Sequence, residues 1–169
     1  MNEQDDVDRI MHQWASVRPD LDIAPLAVFS RVSRIAKHLD RARALAFERS
    51  GLTAWEFDVL AVLRRGGEPF RQSPKLLVKQ TMVSSGTMTN RIDRMVERGL
   101  VVRLTDPNDG RGILVEMTAQ GLTLIDAAIT RLVDAEDHLI GAMSRADRER
   151  TATLLRRLAL SVDRFSEER

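Results

Sequence analysis

The segment 84–117 restricts the possible folds more than any other part of the chain, because an amphipathic helix pattern runs directly into two strand patterns. In SSGTMTNRIDRMVERG, apolar residues recur at helical spacing and predict one core-facing stripe. This stripe comprises Met88, Ile92, Met95 and Val96. LVVRLTD and GILVEMT follow as predicted strands, and the turn residues of DPNDGRG between them predict a hairpin.

The remaining segments predict helices, so the fold class is mainly α with a small β-hairpin. Apolar spacing, cap residues and stop signals place these helices at about Val7–Val17, at about Pro25–Arg49, from Thr53 to Gly66–Gly67, over PKLLVKQ after Ser73, from Thr118 to about Met143, and from Ser144 onward. A short helix, a tight turn, an amphipathic helix and a hairpin in succession indicate a winged helix-turn-helix, whose second helix enters the DNA major groove.

Charge is distributed unevenly along the chain. The net charge is +1, but residues 64–111 contain ten Lys/Arg and five Asp/Glu, and the remainder contains 16 basic and 20 acidic residues. A basic middle between acidic flanks indicates a local surface for a polyanion. The alternative is a solvated surface on which basic residues cluster by chance.

The polar side of the 84–99 helix carries residue types suited to phosphate oxygens and base edges. We expect the DNA contacts to come from this side, from the preceding short helix and from the hairpin tip. The candidates are Lys75, Ser84, Ser85, Thr87, Thr89, Asn90, Arg91, Arg94 and, on the hairpin, Arg111. The alternative is an exposed amphipathic helix without a partner.

Other classes of function find little support. The absence of cysteine excludes disulfides and thiolate metal sites, and the three histidines lie far apart without a catalytic motif. We therefore expect no enzyme activity, catalytic residue, metal site or cofactor. No apolar run approaches the ~20 residues of a membrane span, and the acidic MNEQDDVDRI lacks the features of a secretory signal, so we expect a cytoplasmic protein without membrane contact.

The segments GLTAWEFDVLAVL and SSGTMTNRIDRMVERGLVVRLTDPNDGRGILVEMTAQGLTLID resemble the MarR family of bacterial regulators over residues 25–165. The family hairpin usually contains Asp-Pro-x-Asp-Arg-Arg; here Gly110 replaces the first arginine and Arg111 retains the second. The resemblance implies a homodimer on double-stranded DNA, with recognition helices ~34 Å apart on a pseudo-palindromic site. It also implies an extra helix and a dimerisation helix in 1–50, the winged region in 51–117 and dimerisation helices in 118–169.

The extra first helix, together with Trp14, Asp58, Arg91 and Arg103, resembles the urate-responsive branch of this family. That resemblance implies that these four residues bind a purine-type anion. Asp58 interrupts the apolar run EFDVLAVL, so it faces water or needs a partner such as Arg91 or Arg103. The alternatives are a core or dimer role for Trp14, a structural Asp58–Arg103 ion pair and a purely DNA-contacting Arg91. We expect Trp55 in the core.

Together these features predict a ligand-responsive transcriptional regulator, a repressor released from its operator by a small anion such as urate or a related purine. Ligand binding and DNA binding would be coupled through two conformations of the protein that differ in DNA affinity. A coupling free energy of ~1–3 kcal/mol gives roughly 5–150-fold weaker DNA binding. The alternatives are a response to another small aromatic or carboxylic anion, and a helical interaction protein without DNA binding.

Overall fold

The computed structural model describes residues 4–107 and 109–167, without the side chains of residues 110, 111, 166 and 167. Its elements, in chain order, are α1 (Asp6–Val17), α2 (Ala24–Glu48), α3 (Ala54–Arg65), β1 (Arg71–Gln72), α4 (Pro74–Thr81), α5 (Ser85–Glu97), β2 (Val101–Asp106), β3 (Asp109–Met117), α6 (Ala119–Leu139) and α7 (Arg145–Glu167). The mainly helical fold with a small hairpin is confirmed. Within the described ranges, no helix is long and apolar enough to cross a membrane.

The sheet is antiparallel, with β3 between β1 and β2. In the β2–β3 hairpin Val101 pairs with Met117, and Asp106 pairs with Asp109 after a register shift. The hairpin is therefore confirmed, although Asn108 of its predicted turn lies outside the described residues. Strand β1 was not predicted because two residues carry no periodicity; it adds to β3 through the pairing of Arg71 with Glu116.

The core forms where α3, α4, α5 and the sheet meet. Its fully buried members include Val59, Leu60, Leu63, Leu77, Met88, Ile92, Met95, Leu100 and Val115. The predicted stripe of α5 is therefore confirmed at three positions, but Val96 is 37% exposed and its assignment to the core was wrong. The chain turns at Gly99, where φ is +69°, and Leu100 takes the core position beyond Met95.

The helix starts follow the predicted caps. The side chains of Ser84 and Thr118 accept hydrogen bonds from backbone N–H groups in the first turns of α5 and α6, and Thr53 forms a capping box with Glu56. The predicted end of α6 near Met143 was wrong. The helix ends at Leu139, and turn-type hydrogen bonds from Gly141 and Met143 to residues three positions earlier follow it.

The first helix is attached mainly by charge. The Arg31 guanidinium of α2 donates to the carboxylates of Asp5 and Asp8 at 2.7–3.0 Å, and this pairing lowers the pKa of the Asp5 carboxyl. Val7 is the buried residue of α1, whereas Trp14 is 44% exposed. Large apolar side chains also remain exposed on α2, α6 and α7, so these helices leave extensive apolar surface uncovered in one protomer.

Two helical glycines give opposite predictions for stability. A Cβ at Gly121 of α6 would lie 2.4 Å from the Leu100 carbonyl oxygen, whereas a Cβ at Gly86 of α5 would meet no heavy atom within 4 Å. We expect Gly121→Ala to lower the melting temperature, and Gly86→Ala to stabilise the protein by about 0.5–1 kcal/mol. Thermal unfolding of both variants checks this, and a stabilised Gly121→Ala would contradict the close packing of α6 on residue 100.

Candidate nucleic-acid interface

Helices α4 and α5 form a helix-turn-helix held against α3. Ser73 caps α4 and Ser84 caps α5, and between them Met82 adopts a left-handed conformation with φ of +52°. Because Leu77 of α4 and Met88 of α5 are buried together in the core, the relative orientation of the two helices is fixed by packing. The opposite side of α5 is consequently presented to solvent.

The outward side of α5 and the neighbouring surface of α4 contain the predicted DNA-contacting residues. Lys75, Ser84, Ser85, Thr87, Thr89, Asn90 and Arg94 are exposed. Several hydroxyls are used locally: those of Ser84 and Thr87 bond each other at 2.9 Å, and Thr89 Oγ1 donates to a backbone carbonyl oxygen at 3.0 Å. Within the described part of the chain, Asn90 and Arg94 make no side-chain hydrogen bond or ion pair, so their donors remain available to a partner.

Arg91 occupies the border between this face and α3. Its guanidinium carbon lies 5.7 Å from the centre of the Trp55 ring, in the range of a cation–π contact, and its side chain is half-buried. A cavity of about 500 Å³ opens here. Its lining consists of Trp55, Gly86, Thr87, Asn90, Arg91 and Arg94. Trp55 packs against the core as expected but is only partly buried, and its position beside Arg91 was not predicted.

Asp58 lies near the same arginine, on the exposed side of α3. Partial burial raises the pKa of the Asp58 carboxyl, while the positive charges of Arg91, Arg43 and Arg65 act in the opposite direction. Asp58 takes part in no salt bridge within the described residues. The structure therefore favours the expectation that Asp58 faces water, close to Arg91 in electrostatic terms.

The other two predicted ligand residues are placed elsewhere in the protomer. Arg103 of β2 pairs with Asp93 of α5 at 2.5 Å, so the suggested Asp58–Arg103 pair was wrong. The reason is topological: β2 follows α5 directly and runs beside it, which brings Asp93 within reach. Trp14 lies on α1, which packs against α2, and its side chain has no hydrogen bond or ring contact in the described ranges.

The hairpin completes the arrangement as a wing beside α5. Arg111 belongs to β3, but its side chain lies outside the described residues. In the described part of the chain, no group of three or more His, Asp or Glu side chains is arranged to hold a metal ion. The exposed basic helix, its buried counter-face and the adjoining hairpin define a winged helix-turn-helix protein.

Comparison with known proteins identifies the family. A profile of the MarR family matches residues 50–112. The chain is 34% identical over 153 residues to the HTH-type transcriptional regulator PecS of Dickeya dadantii, covering 90% of this chain and 92% of PecS. This chain belongs to the MarR family of transcriptional regulators, and its relatives are regulators rather than enzymes.

Solved structures agree with this assignment. Wild-type MarR of E. coli in its apo form superposes with a TM-score of 0.66 at 26% identity, covering 78% of this chain and 96% of MarR. BpsR of Bordetella bronchiseptica, whose structure concerns regulation of its DNA binding by 6-hydroxynicotinic acid, superposes with a TM-score of 0.60 at 27% identity. That match covers 76% of this chain and 98% of BpsR. The winged helix-turn-helix fold is thus confirmed.

The raised pKa of Asp58 predicts a pH-dependent effect on stability. The folded state binds the Asp58 proton more tightly than the unfolded state, so the ionised carboxylate lowers stability at neutral pH. We expect Asp58→Asn to raise the melting temperature at pH 7 by no more than about 1 °C, because solvent screens the exposed carboxylate. This gain is lost as the pH falls through the folded-state pKa towards the unfolded value of ~3.9. Calorimetry between pH 3 and pH 7 measures it; a variant less stable at pH 7 would contradict the expectation.

Proposed function

We propose that this chain is a cytoplasmic repressor that binds operator DNA as a homodimer, with α5 in the major groove and the β2–β3 hairpin beside it. The observation that carries this proposal is the exposed outward face of α5, on which the side-chain donors of Asn90 and Arg94 have no partner among the described residues. Amide and guanidinium groups bond adenine and guanine edges in the major groove, and Lys75 and Arg111 suit neighbouring phosphates.

The homodimer is supported by the apolar side chains that one protomer leaves exposed. Such surface is common on α2 and α7, where Val28, Phe29, Ile35, Leu154, Leu155, Leu160 and Phe165 are exposed. Monomeric proteins rarely leave large contiguous apolar patches in water. We assign residues 1–50 and 118–169 to dimerisation and 51–117 to DNA binding, with recognition helices ~34 Å apart on a pseudo-palindromic operator.

A small planar anion is the proposed effector, with urate or a related purine as the first candidate. Arg91 and Asp58 lie at the edge of the DNA face, so a ligand there acts on a residue that also serves DNA binding. Arg103 is held by Asp93 of α5, and an anion that competes for Arg103 therefore weakens a connection between the wing and α5. We include Trp14 as the fourth ligand residue, brought to the site by movement of α1 or by the second protomer.

Another aromatic acid is the second candidate effector. BpsR, which shares 27% identity and the same fold with this chain, is regulated by 6-hydroxynicotinic acid. The cation–π contact between Arg91 and Trp55 suits any flat anion, since the indole offers a stacking surface and the guanidinium offers charge. A helical interaction protein without DNA binding is the remaining alternative, and the basic face of α5 argues against it.

A mobility shift with DNA from the neighbourhood of the chain's own gene tests the proposal. The experiment is repeated with urate, 6-hydroxynicotinate and a panel of aromatic and carboxylic acids, at one stated salt concentration because phosphate contacts make affinity strongly salt-dependent. We expect a specific complex that at least one of these anions dissociates. No specific complex at low salt would contradict the DNA-binding proposal, whereas a complex that no anion affects would contradict the effector alone.

Two variants separate base contacts from phosphate contacts. Asn90→Ala removes a base-reading amide, so we expect a loss of about 1–3 kcal/mol per half-site with relaxed preference at one position of each half-site. Arg111→Ala removes one phosphate contact per protomer, so we expect weaker binding to all sequences and a salt slope reduced by about 0.9 per protomer, or about 1.8 for the dimer. Fluorescence anisotropy over a salt series measures both, and light scattering verifies that each variant remains a dimer. Wild-type affinity of Arg111→Ala would argue against contact by the wing.

The ligand site has its own test. Asp58→Asn and Trp14→Phe are expected to reduce the response to the effector more than they reduce operator affinity, because neither residue lies on the outward face of α5. The measurement is the anion concentration that dissociates half of the operator complex, with Arg64→Met as a control away from the cavity. A variant that releases DNA at the wild-type concentration would exclude its residue from the site.

A further inference from the structure

Glu56 is a buried carboxylate with partners on two separate segments. Its side chain is 1% exposed, at the third position of α3. One oxygen, Oε2, accepts hydrogen bonds from the Thr53 backbone N–H at 2.8 Å and the Thr53 hydroxyl at 2.9 Å. The other oxygen, Oε1, accepts a hydrogen bond from Arg98 Nη1 at 2.5 Å. The same carboxylate therefore caps α3 and binds the end of α5.

Arg98 extends this connection to the linker between α2 and α3. It caps the C-terminus of α5, and its Nη2 donates to the Gly51 carbonyl oxygen at 2.9 Å. Gly51 has φ of +71°, and the adjacent Ser50 hydroxyl accepts a hydrogen bond from Arg131 of α6 at 3.1 Å. Polar contacts thus run from α6 through the linker to the last turn of α5.

The physical cost of breaking this arrangement is high. A buried carboxylate that loses its cationic partner is left uncompensated, which is far less favourable than an exposed ion pair. Arg98 is therefore restricted to the one position in which Nη1 and Nη2 reach Glu56 and Gly51. Since Arg98 directly follows α5, that restriction also fixes where the C-terminal half of the helix lies, including Arg94 one turn earlier.

We infer that Glu56 and Arg98 are positioning residues for DNA reading, which hold α5 at the distance and rotation that its outward side chains need. The inference rests on the proposed function. Neither residue was identified from the sequence as part of the site. The buried carboxylate cannot reach DNA itself, so any effect of Glu56 on operator affinity acts through Arg98 and α5.

Removing the charge of Glu56 changes operator affinity in different directions for the two possible roles of Arg98. If Arg98 contacts a phosphate directly, Glu56→Gln removes a competing negative charge, and operator binding stays unchanged or becomes tighter. If Arg98 positions α5, Glu56→Gln weakens operator binding. We expect Glu56→Gln and Arg98→Met each to weaken operator binding about tenfold. The double variant is expected to bind at most about twofold more weakly than either single variant, because both substitutions disrupt the same connection.

The salt dependence supplies a second criterion. Losing one phosphate contact per protomer lowers the slope of log affinity against log salt by about 0.9 per protomer, or about 1.8 for the dimer, whereas a displaced helix weakens binding at nearly constant slope. Arg64→Met is the matched control, because the side chains of Arg64 and Arg98 are 43% and 44% exposed. Arg64 pairs with Asp126 of α6 and lies over the Phe70 ring, and within the described residues no hydrogen bond or ion pair joins it to α5. We expect this control to keep operator affinity within about twofold of the wild type.

Hydrogen exchange separates the inference from the proposed function. Without DNA, we expect faster exchange of the α5 backbone amides in Arg98→Met than in Arg64→Met, with α7 unchanged. Because Arg98 is partly exposed, this variant is expected to fold even if Glu56→Gln does not. The inference would be overturned if the α5 amides of Arg98→Met exchanged at the wild-type rate. It would also be overturned if Arg98→Met had a reduced salt slope while Glu56→Gln kept the wild-type operator affinity. A wild-type protein that binds no DNA would instead defeat the proposed function, while the exchange result still decides the role of the pair.

Discussion

The packing of α5 against α3 is the interaction on which the other features depend. Met88, Ile92 and Met95 are buried in the same core cluster as Leu60 and Leu63 of α3, and a close-packed core leaves little freedom for α5 to rotate about its axis. Because a helix has fixed angular spacing, burying those three side chains determines which residues face outward. The exposed polar face is thus a consequence of the core and needs no separate stabilisation.

Charged groups around α5 then determine how it can move as a body. Asp93 is bound by Arg103 of the wing, and Arg98 at the helix end is bound by the buried Glu56. The first pair is exposed to solvent and so contributes little to stability, whereas the second has one fully buried member and resists disruption. A ligand anion can therefore compete with Asp93 at modest cost, while the attachment at Glu56 stays in place. The wing side of α5 is accordingly the side at which regulation is physically easiest.

Local patterns in the sequence predicted most of the helices, because helical spacing and caps depend on residues three or four positions apart. Thr53 and Thr118 are examples in which the predicted cap is the observed one, and Ser84 is one of two adjacent serines that the sequence offered for the start of α5. Features that join distant segments were not predictable in this way. The Glu56–Arg98 pair spans 42 positions and β1 pairs with a strand more than 40 positions later, so neither leaves a periodic trace. Thr53 was predicted as the start of α3, but neither the capping role of Glu56 nor its second partner was predicted.

The Asp58–Arg103 pair, which the sequence left open as one alternative, shows why an isolated charge in an apolar run is ambiguous. The sequence indicates that Asp58 needs water or a cation; only the fold decides that Arg103 pairs with Asp93 and that Arg91 is the arginine with the largest effect on Asp58. The surroundings of Asp58 raise the pKa of its carboxyl, and Arg91 of the DNA-binding helix acts on it electrostatically. Within the described residues Asp58 forms no salt bridge, and its exposed side chain adds nothing to the core. Its position agrees with the proposed ligand response. Under that proposal linkage requires reciprocity, so operator DNA weakens effector binding by the same factor by which the effector weakens DNA binding.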